Sequence, residues 1–381
     1  MNTEIQFLSK TRILGYGTTQ MRCVQPAHYL AQKGWRTEFG CIYRSLPKAR
    51  KAIVFHRAAL DSHTEQYLSY AKARGLVTIY DTDDFLFDEE SIEQFPLPDS
   101  AKAYRTMMEK CDVILVSTRY LQQRAELFHP DVRVVKNGLS KEFVAKAEFV
   151  RRNGTQKQDN VITVAYLSGS KHHEDDFQLV ERALIKILTD FTDTRLLVMG
   201  KLRCSDKFRC FGDRFQYKNF VPYRDFWRVF QDIDINIAPL NVRKSFTQAR
   251  SELKYIEAGI FGIPTIASPT STYRDAIFHG INGLLAEDLD WYDALKSLIT
   301  DGEKRIRLGE AARKDVTENY RPEKRSVQWN ELVSDILEKY GENKHSDDLK
   351  ARVNYIKVLC FWLWRKLKIS KRKLISKEKE Q

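Results

Sequence analysis

No apolar run in this 381-residue chain approaches the roughly 20 residues that a bilayer-crossing helix needs, which predicts that no segment spans a membrane. The first residues, Met-Asn-Thr-Glu-Ile-Gln-Phe, lack the basic-then-apolar layout of a secretion signal, so a cytosolic protein is expected. Cysteine is sparse and unpaired in sequence. Cys23, Cys41, Cys111, Cys204, Cys210 and Cys360 stand singly, which argues against both a disulfide framework and a zinc site. A strong charge on the main body is missing as well. Of the net +12, residues 344–381 carry +8 and leave only +4 for residues 1–343. The basicity therefore belongs to a tail, and a nucleic-acid partner for the fold is not supported.

What remains is a globular composition, 43% hydrophobic and 30% charged, in a chain long enough for two α/β domains with real cores. In the first half, apolar runs at Ala52–Phe55, Leu76–Tyr80, Val113–Val116 and Val132–Val135 alternate with helical patterns near 22–34, 60–74, 99–110 and 118–127. The second half repeats the rhythm. Strands are predicted at Val161–Leu167, Arg195–Met199, Asn219–Val221, Ile233–Ala238 and Ile263–Ala267, with helices near 174–190, 223–231, 251–261, 290–300 and 302–319. Such alternation implies parallel sheets covered on both faces. Residues 151–160 contain no aliphatic or aromatic side chain and read as a linker. The expected organisation is a domain over 1–150, the linker at 151–160, a second domain over 161–343 and a basic tail over 344–381. Ligands of such sheets bind where the carboxyl ends of the strands face a crevice.

The most informative stretch is Ser251 to Ser268. Leu253, Ile256 and Ile260 share a helical face, Lys254 and Glu257 lie three apart beside it, and Gly262 and Pro264 end the helix before a buried strand. A helix start in a cleft can hold a phosphate, and a carboxylate one turn on can reach a ribose diol. Glu257, Ala258, Gly262, Pro264, Ile266, Ala267 and Ser268 also match the pattern Glu-Ala-x-x-x-Gly-x-Pro-x-Ile-Ala-Ser. The segment thereby resembles the nucleotide-binding element of retaining GT-B glycosyltransferases, most closely glycosyltransferase family 4. Arg250 to Ala258 is similar to a subgroup used in bacterial surface-polysaccharide assembly. One position departs: where the family usually carries a glutamate eight residues before Glu257, this chain has Ala249.

The resemblance implies a GT-B fold, two Rossmann-like domains facing a central cleft, and transfer of a sugar from a nucleotide-sugar donor to a growing, lipid-linked surface glycan with retention. It implies no metal and no cofactor. After the first strand of the second domain, the run Tyr166 to Phe177 is similar to the subgroup's donor loop, which puts Gly169, Ser170, Lys171 and His172 near the donor diphosphate with Ser251, Lys254 and Glu257. In the first domain, Asp81, Asp83 and Asp84 follow one strand and His56 and Arg57 end another, all at the expected cleft rim. A cluster of carboxylates also suits a divalent cation or an acceptor's hydroxyls. His56, Asp83 and Lys254 are the catalytic candidates. Gly17, Arg22, Arg57, Asp81 and Asp84 are candidates for contact with acceptor or phosphate. Val135-Lys-Asn-Gly138 resembles the segment that closes the family's first domain.

The last segment, Leu349 to Leu374, carries an apolar helical face, Trp362 and Trp364, and a basic cluster from Arg365 to Lys377. It suits either an anionic bilayer surface at the inner face of the plasma membrane or packing against the fold. Two rival readings stay open: a noncatalytic sugar- or partner-binding scaffold, which Ala249 permits, and a sugar-nucleotide epimerase of the same architecture.

Overall fold

The computed structural model describes residues 3–10, 17–43, 45, 47–94, 99–154, 160–168, 174–341 and 360. Among these residues, twelve strands form two six-stranded parallel sheets. The first holds β1 (Ile5–Ser9), β2 (Thr37–Cys41), β3 (Ala52–His56), β4 (Val77–Thr82), β5 (Val113–Val116) and β6 (Val132–Val134), in the order β2-β1-β3-β4-β5-β6. The second holds β7 (Ile162–Leu167), β8 (Thr194–Met199), β9 (Phe215–Lys218), β10 (Ile235–Ala238), β11 (Thr265–Ala267) and β12 (Leu284–Leu285), in the order β12-β11-β10-β7-β8-β9. Each order reverses once, between β1 and β3 and between β10 and β7. Parallel sheets open a crevice at such reversals, beyond the carboxyl ends of the strands.

Central strands such as Ala52–His56 and Val113–Val116 are buried along their whole length, as a sheet covered on both faces requires. The short polar-flanked strands β1 and β2 escape sequence reading because Gln6, Thr37 and Glu38 interrupt the apolar run. The strand expected at Asn219–Val221 lies a few residues earlier, at Phe215–Lys218, and its two C-terminal residues are exposed at the sheet edge. The helix at Leu253–Gly259 ends at a turn where Gly262 takes φ 76°, a conformation that disfavours side chains.

The domain edges differ from the sequence expectation. Residues 141–153 form a helix, capped by Ser140 Oγ accepting from the Phe143 amide at 3.1 Å, so 151–153 end this helix rather than begin a linker. Phe143, Val144, Ala147 and Val150 pack into the core of the second sheet. The helix Pro322–Gly341 runs the other way. Its Trp329, Val333 and Ile336 pack with Phe7, Val54 and Ile79 of the first sheet. Residues 155–159 and the tail after 341, apart from Cys360, lie outside the described residues. No helix among the described residues is long and apolar enough to cross a membrane.

Candidate active site

A cavity of about 400 Å³ lies between the two sheets. Gly17, Thr18, Met21, Arg57, Asp83 and Asp84 form its first-domain wall. Leu167, Ser168, Asn236, Arg250, Ser251, Lys254 and Glu257 form the opposite wall, and Phe220, Tyr223, Phe226 and Phe230 give it an aromatic end. The cavity thus sits at both strand-order reversals, where the ends of β3 and β7 meet.

The second-domain wall is built on the helix Leu253–Gly259. Asn236, a lone polar side chain inside β10, donates from Nδ2 to the Lys254 carbonyl at 3.1 Å and to Thr265 Oγ1 at 3.0 Å. This fixes the helix against the sheet. Lys254 and Glu257 turn toward the cavity and are half-buried. The Lys254 ammonium itself is buried with no hydrogen-bond partner among the described residues, 4.1 Å from the centre of the Tyr166 ring. Burial pushes its pKa down to about 7, against the opposing pull of Asp176 and Glu257. Burial likewise pushes Glu257 up to about 8, with Lys254 opposing. Burial in this apolar-sided pocket thus works against the charged form of both groups, and each partly offsets that cost for the other.

The first-domain wall is arranged differently, because every carboxylate in it is engaged. Arg57 donates from Nε to Asp83 Oδ1 at 2.6 Å and pairs through Nη2 with Asp84 Oδ2 at 2.6 Å. Its backbone takes φ 48°, the positive value of a non-glycine residue among those described, a conformation that costs roughly 1–3 kcal/mol and gathers at functional sites. Burial alone would raise Asp83, but Arg57 and His56 hold it below the usual carboxylate range. Behind this wall, Arg22 Nη2 donates to Asp81 Oδ1 at 2.5 Å, and His56 Nδ1 lies 3.0 Å from Asp81 Oδ2. His56 Nε2 faces Asp83 Oδ1 at 3.9 Å. Despite burial, Arg22 and His56 keep Asp81 ionised.

The structure brings together Gly17, Arg57, Asp83, Asp84, Ser251, Lys254 and Glu257 of the expected site. Three expectations are corrected. Arg22 is 1% exposed with its guanidinium committed to Asp81 and the Val135 carbonyl, so it cannot clamp a phosphate. Asp81 is wholly buried and touches Arg22 and His56 rather than an acceptor. His56, 1% exposed, stands behind the cavity wall instead of on it. Gly169, Ser170, Lys171 and His172 lie outside the described residues. No group of three or more metal-ligating side chains poised for an ion occurs among the described residues. Asn236 and Tyr223 were missed in the sequence. A polar residue inside the apolar run Ile-Asn-Ile-Ala is the signal that Asn236 offered.

Residues 145–315 match the family model described as glycosyl transferases group 1. Residues 145–315 are therefore similar to group 1 glycosyl transferases, within a chain of GT-B fold. No curated protein matches the chain in sequence. Among solved structures, HepE of Anabaena in complex with UDP is similar at 13% identity and a TM-score of 0.59, covering 88% of this chain and 100% of HepE. Sucrose-phosphate synthase from Thermosynechococcus elongatus gives 13% and 0.61, with 88% and 100% covered. A glycosyltransferase from Rickettsia africae ESF-5 gives 13% and 0.63, with 88% and 99% covered. At such identity the likeness establishes the fold. The group 1 match spans the helix bearing Lys254 and Glu257, so the second-domain wall of the GT-B cleft lies within it.

Proposed function

We propose that this GT-B protein transfers a sugar from a nucleotide-sugar donor to a growing surface glycan carried on a lipid, with retention of configuration and without a metal. The observation that carries the reading is the pair Lys254 and Glu257 on one cavity wall, with the Lys254 ammonium buried and without a hydrogen-bond partner among the described residues. A buried cation without a partner is costly. A diphosphate beside Lys254 and a ribose diol on Glu257 would supply the missing partners. The solved HepE complexes, which contain UDP, UDP with glucose and UDP-glucose on the same fold, support this class of donor.

Lys254 and Arg250 stabilise charge as it builds on the departing diphosphate, which takes the acceptor's proton on the same face. Asp83 suits orientation of an acceptor hydroxyl rather than proton abstraction, because a carboxylate held below its ordinary range is a weak base. This fits a retaining reaction that needs no strong enzymic base. The sugar-polymer acceptor and the surface-polysaccharide subgroup rest on the sequence resemblance at Arg250 to Ala258.

Calorimetry with UDP, GDP and dTDP, followed by product analysis with the corresponding sugar donors, tests the reading. Glu257→Ala should weaken binding of the preferred nucleotide by about ten- to a hundredfold, since a charge-assisted hydrogen bond is worth roughly 1.5–3 kcal/mol. Unchanged affinity in a folded Glu257→Ala protein rejects the ribose role. Release of an epimerised sugar nucleotide, or nucleotide binding with no transfer to any glycan, supports the epimerase or the scaffold instead.

A further inference from the structure

Asn137 stands where the chain leaves the first sheet, and it does not line the cavity. It is 2% exposed, and its two amide atoms face opposite ways. The Oδ1 atom lies 3.4 Å from Arg22 Nη1, and Nδ2 donates to Ser251 Oγ at 3.0 Å. A guanidinium only donates, so the amide must turn its oxygen to Arg22 and its NH₂ to Ser251. Arg22 is held in turn by the Val135 carbonyl at 2.5 Å and by both oxygens of Asp81, and Asp81 holds His56. A buried polar path therefore runs from His56 at the end of β3, through Asp81, Arg22 and Asn137, to Ser251 at the mouth of the helix that carries Lys254 and Glu257. It starts behind one wall of the cleft and ends in the other.

Arg22 sits in the single π-helical turn among the described residues, Gln20–Val24, between the helical segments Gly17–Thr19 and Gln25–Gln32. Such turns re-aim a side chain and are frequent at functional sites. Here the turn directs the guanidinium inward, to Asp81 and to the segment joining the two domains. Buried polar networks of this kind favour one arrangement; here every link from His56 Nδ1 to Ser251 Oγ is a hydrogen bond, and His56 Nε2 has no hydrogen-bond partner among the described residues.

We infer that Asn137 is a positioning residue for sugar transfer, which sets the donor helix of the second domain in register with the Arg57–Asp83 wall of the first. The kinetic consequence rests on the glycosyl-transfer reading; the mechanical coupling does not. Asn137→Ala should lower kcat about tenfold while leaving donor KM and nucleoside-diphosphate affinity within twofold, because Asn137 touches neither. Asn137→Asp should recover most of that loss, since its carboxylate accepts from Arg22 and from the Ser251 hydroxyl. The Asn137→Ala/Ser251→Ala double variant should lose no more kcat than its worse single variant. A purely structural role predicts a lower Tm with kcat per folded enzyme unchanged, and that result overturns the inference. Hydrogen exchange supplies an arm independent of activity: amides of residues 252–258 should exchange at least threefold faster in Asn137→Ala, with β8 unaltered. Unchanged exchange there rejects the coupling whatever the activity. An inactive wild-type protein would fail the glycosyl-transfer reading and leave this arm to decide the inference.

Discussion

A lysine beside the apolar stripe of a helix is ordinarily exposed, and its replacement there is nearly neutral for folding. The structure buries the Lys254 ammonium without a hydrogen-bond partner among the described residues, which reverses that stability expectation. Lys254→Met should raise the Tm of the ligand-free protein while abolishing most turnover, a trade of stability against function. A scan of Tm and of turnover at saturating donor checks both, and a lower Tm would contradict the burial argument. The pH dependence follows from the same pair. Glu257 keeps its proton in the folded state between its ordinary 4.5 and about 8, so its contribution to stability falls as pH rises through that window. Lys254 has lost its proton in the folded state between about 7 and its ordinary 10.5, so its contribution rises with pH there. Their joint contribution is therefore lowest between about 7 and 8. At pH 9, where Glu257 is ionised and Lys254 is not, a bound diphosphate should draw a proton onto Lys254. Calorimetry in two buffers of different ionisation enthalpy should register that uptake, and Lys254→Met should remove it.

Among the elements, the segment between β10 and the helix Leu253–Gly259 does most to set the cleft. It leaves the second sheet, and its Phe246 and Ala249 enter the core of the first domain beside Tyr80, Phe85 and Leu121. The Ala249 carbonyl accepts from Thr118 Oγ1 at 3.4 Å, and Ser245 Oγ lies 3.3 Å from Glu90 Oε2. Ala249 is 1% exposed and does not line the cavity, so the departure from the family pattern packs against the neighbouring domain. Phe246→Ala should cost about 3–5 kcal/mol, the usual range for a buried Phe→Ala change. Because the contact joins the domains, the variant should also melt in two resolved calorimetric steps. A single transition with unchanged midpoint would show that the segment contributes no interdomain stability.

For the whole molecule, two crossings and this strap tie the domains together. The chain passes to the second sheet near residue 139 and returns through Pro322–Gly341, where Trp35 Nε1 donates to Asn330 Oδ1 at 2.9 Å and Ser326 Oγ to the Tyr29 carbonyl at 3.3 Å. The basic tail follows that returning helix and lies outside the described residues. We propose that it docks the enzyme on an anionic membrane surface. Removal of residues 345–381 should leave Tm and transfer to a soluble acceptor within twofold and abolish sedimentation with anionic vesicles. Intact-protein binding should weaken as salt rises, since each basic residue near such a surface contributes about 1 kcal/mol that counterions screen. A truncated protein that loses Tm and keeps its vesicle binding would assign the tail to packing instead.

The sequence by itself determined the alternation of buried strands and helices, hence two parallel α/β sheets, and the helix carrying Lys254 and Glu257. Those are local properties: apolar periodicity, a glycine-proline break and a motif contained within eighteen residues. It could not place Arg22, Asp81 and His56, which read as cleft-facing side chains at strand and helix ends but pair with one another behind the wall. Nor could it show that the helix Lys141–Asn153 packs on the second sheet and Pro322–Gly341 on the first. An amphipathic stripe states that a face is buried, without naming its partner. Asn137 meets Arg22 across 115 positions and Ser251 across 114, and only the folded chain brings them together. Which polar groups face the cavity and which compensate one another is decided by such long-range pairing, because charge and hydrogen-bond balance depend on neighbours in space.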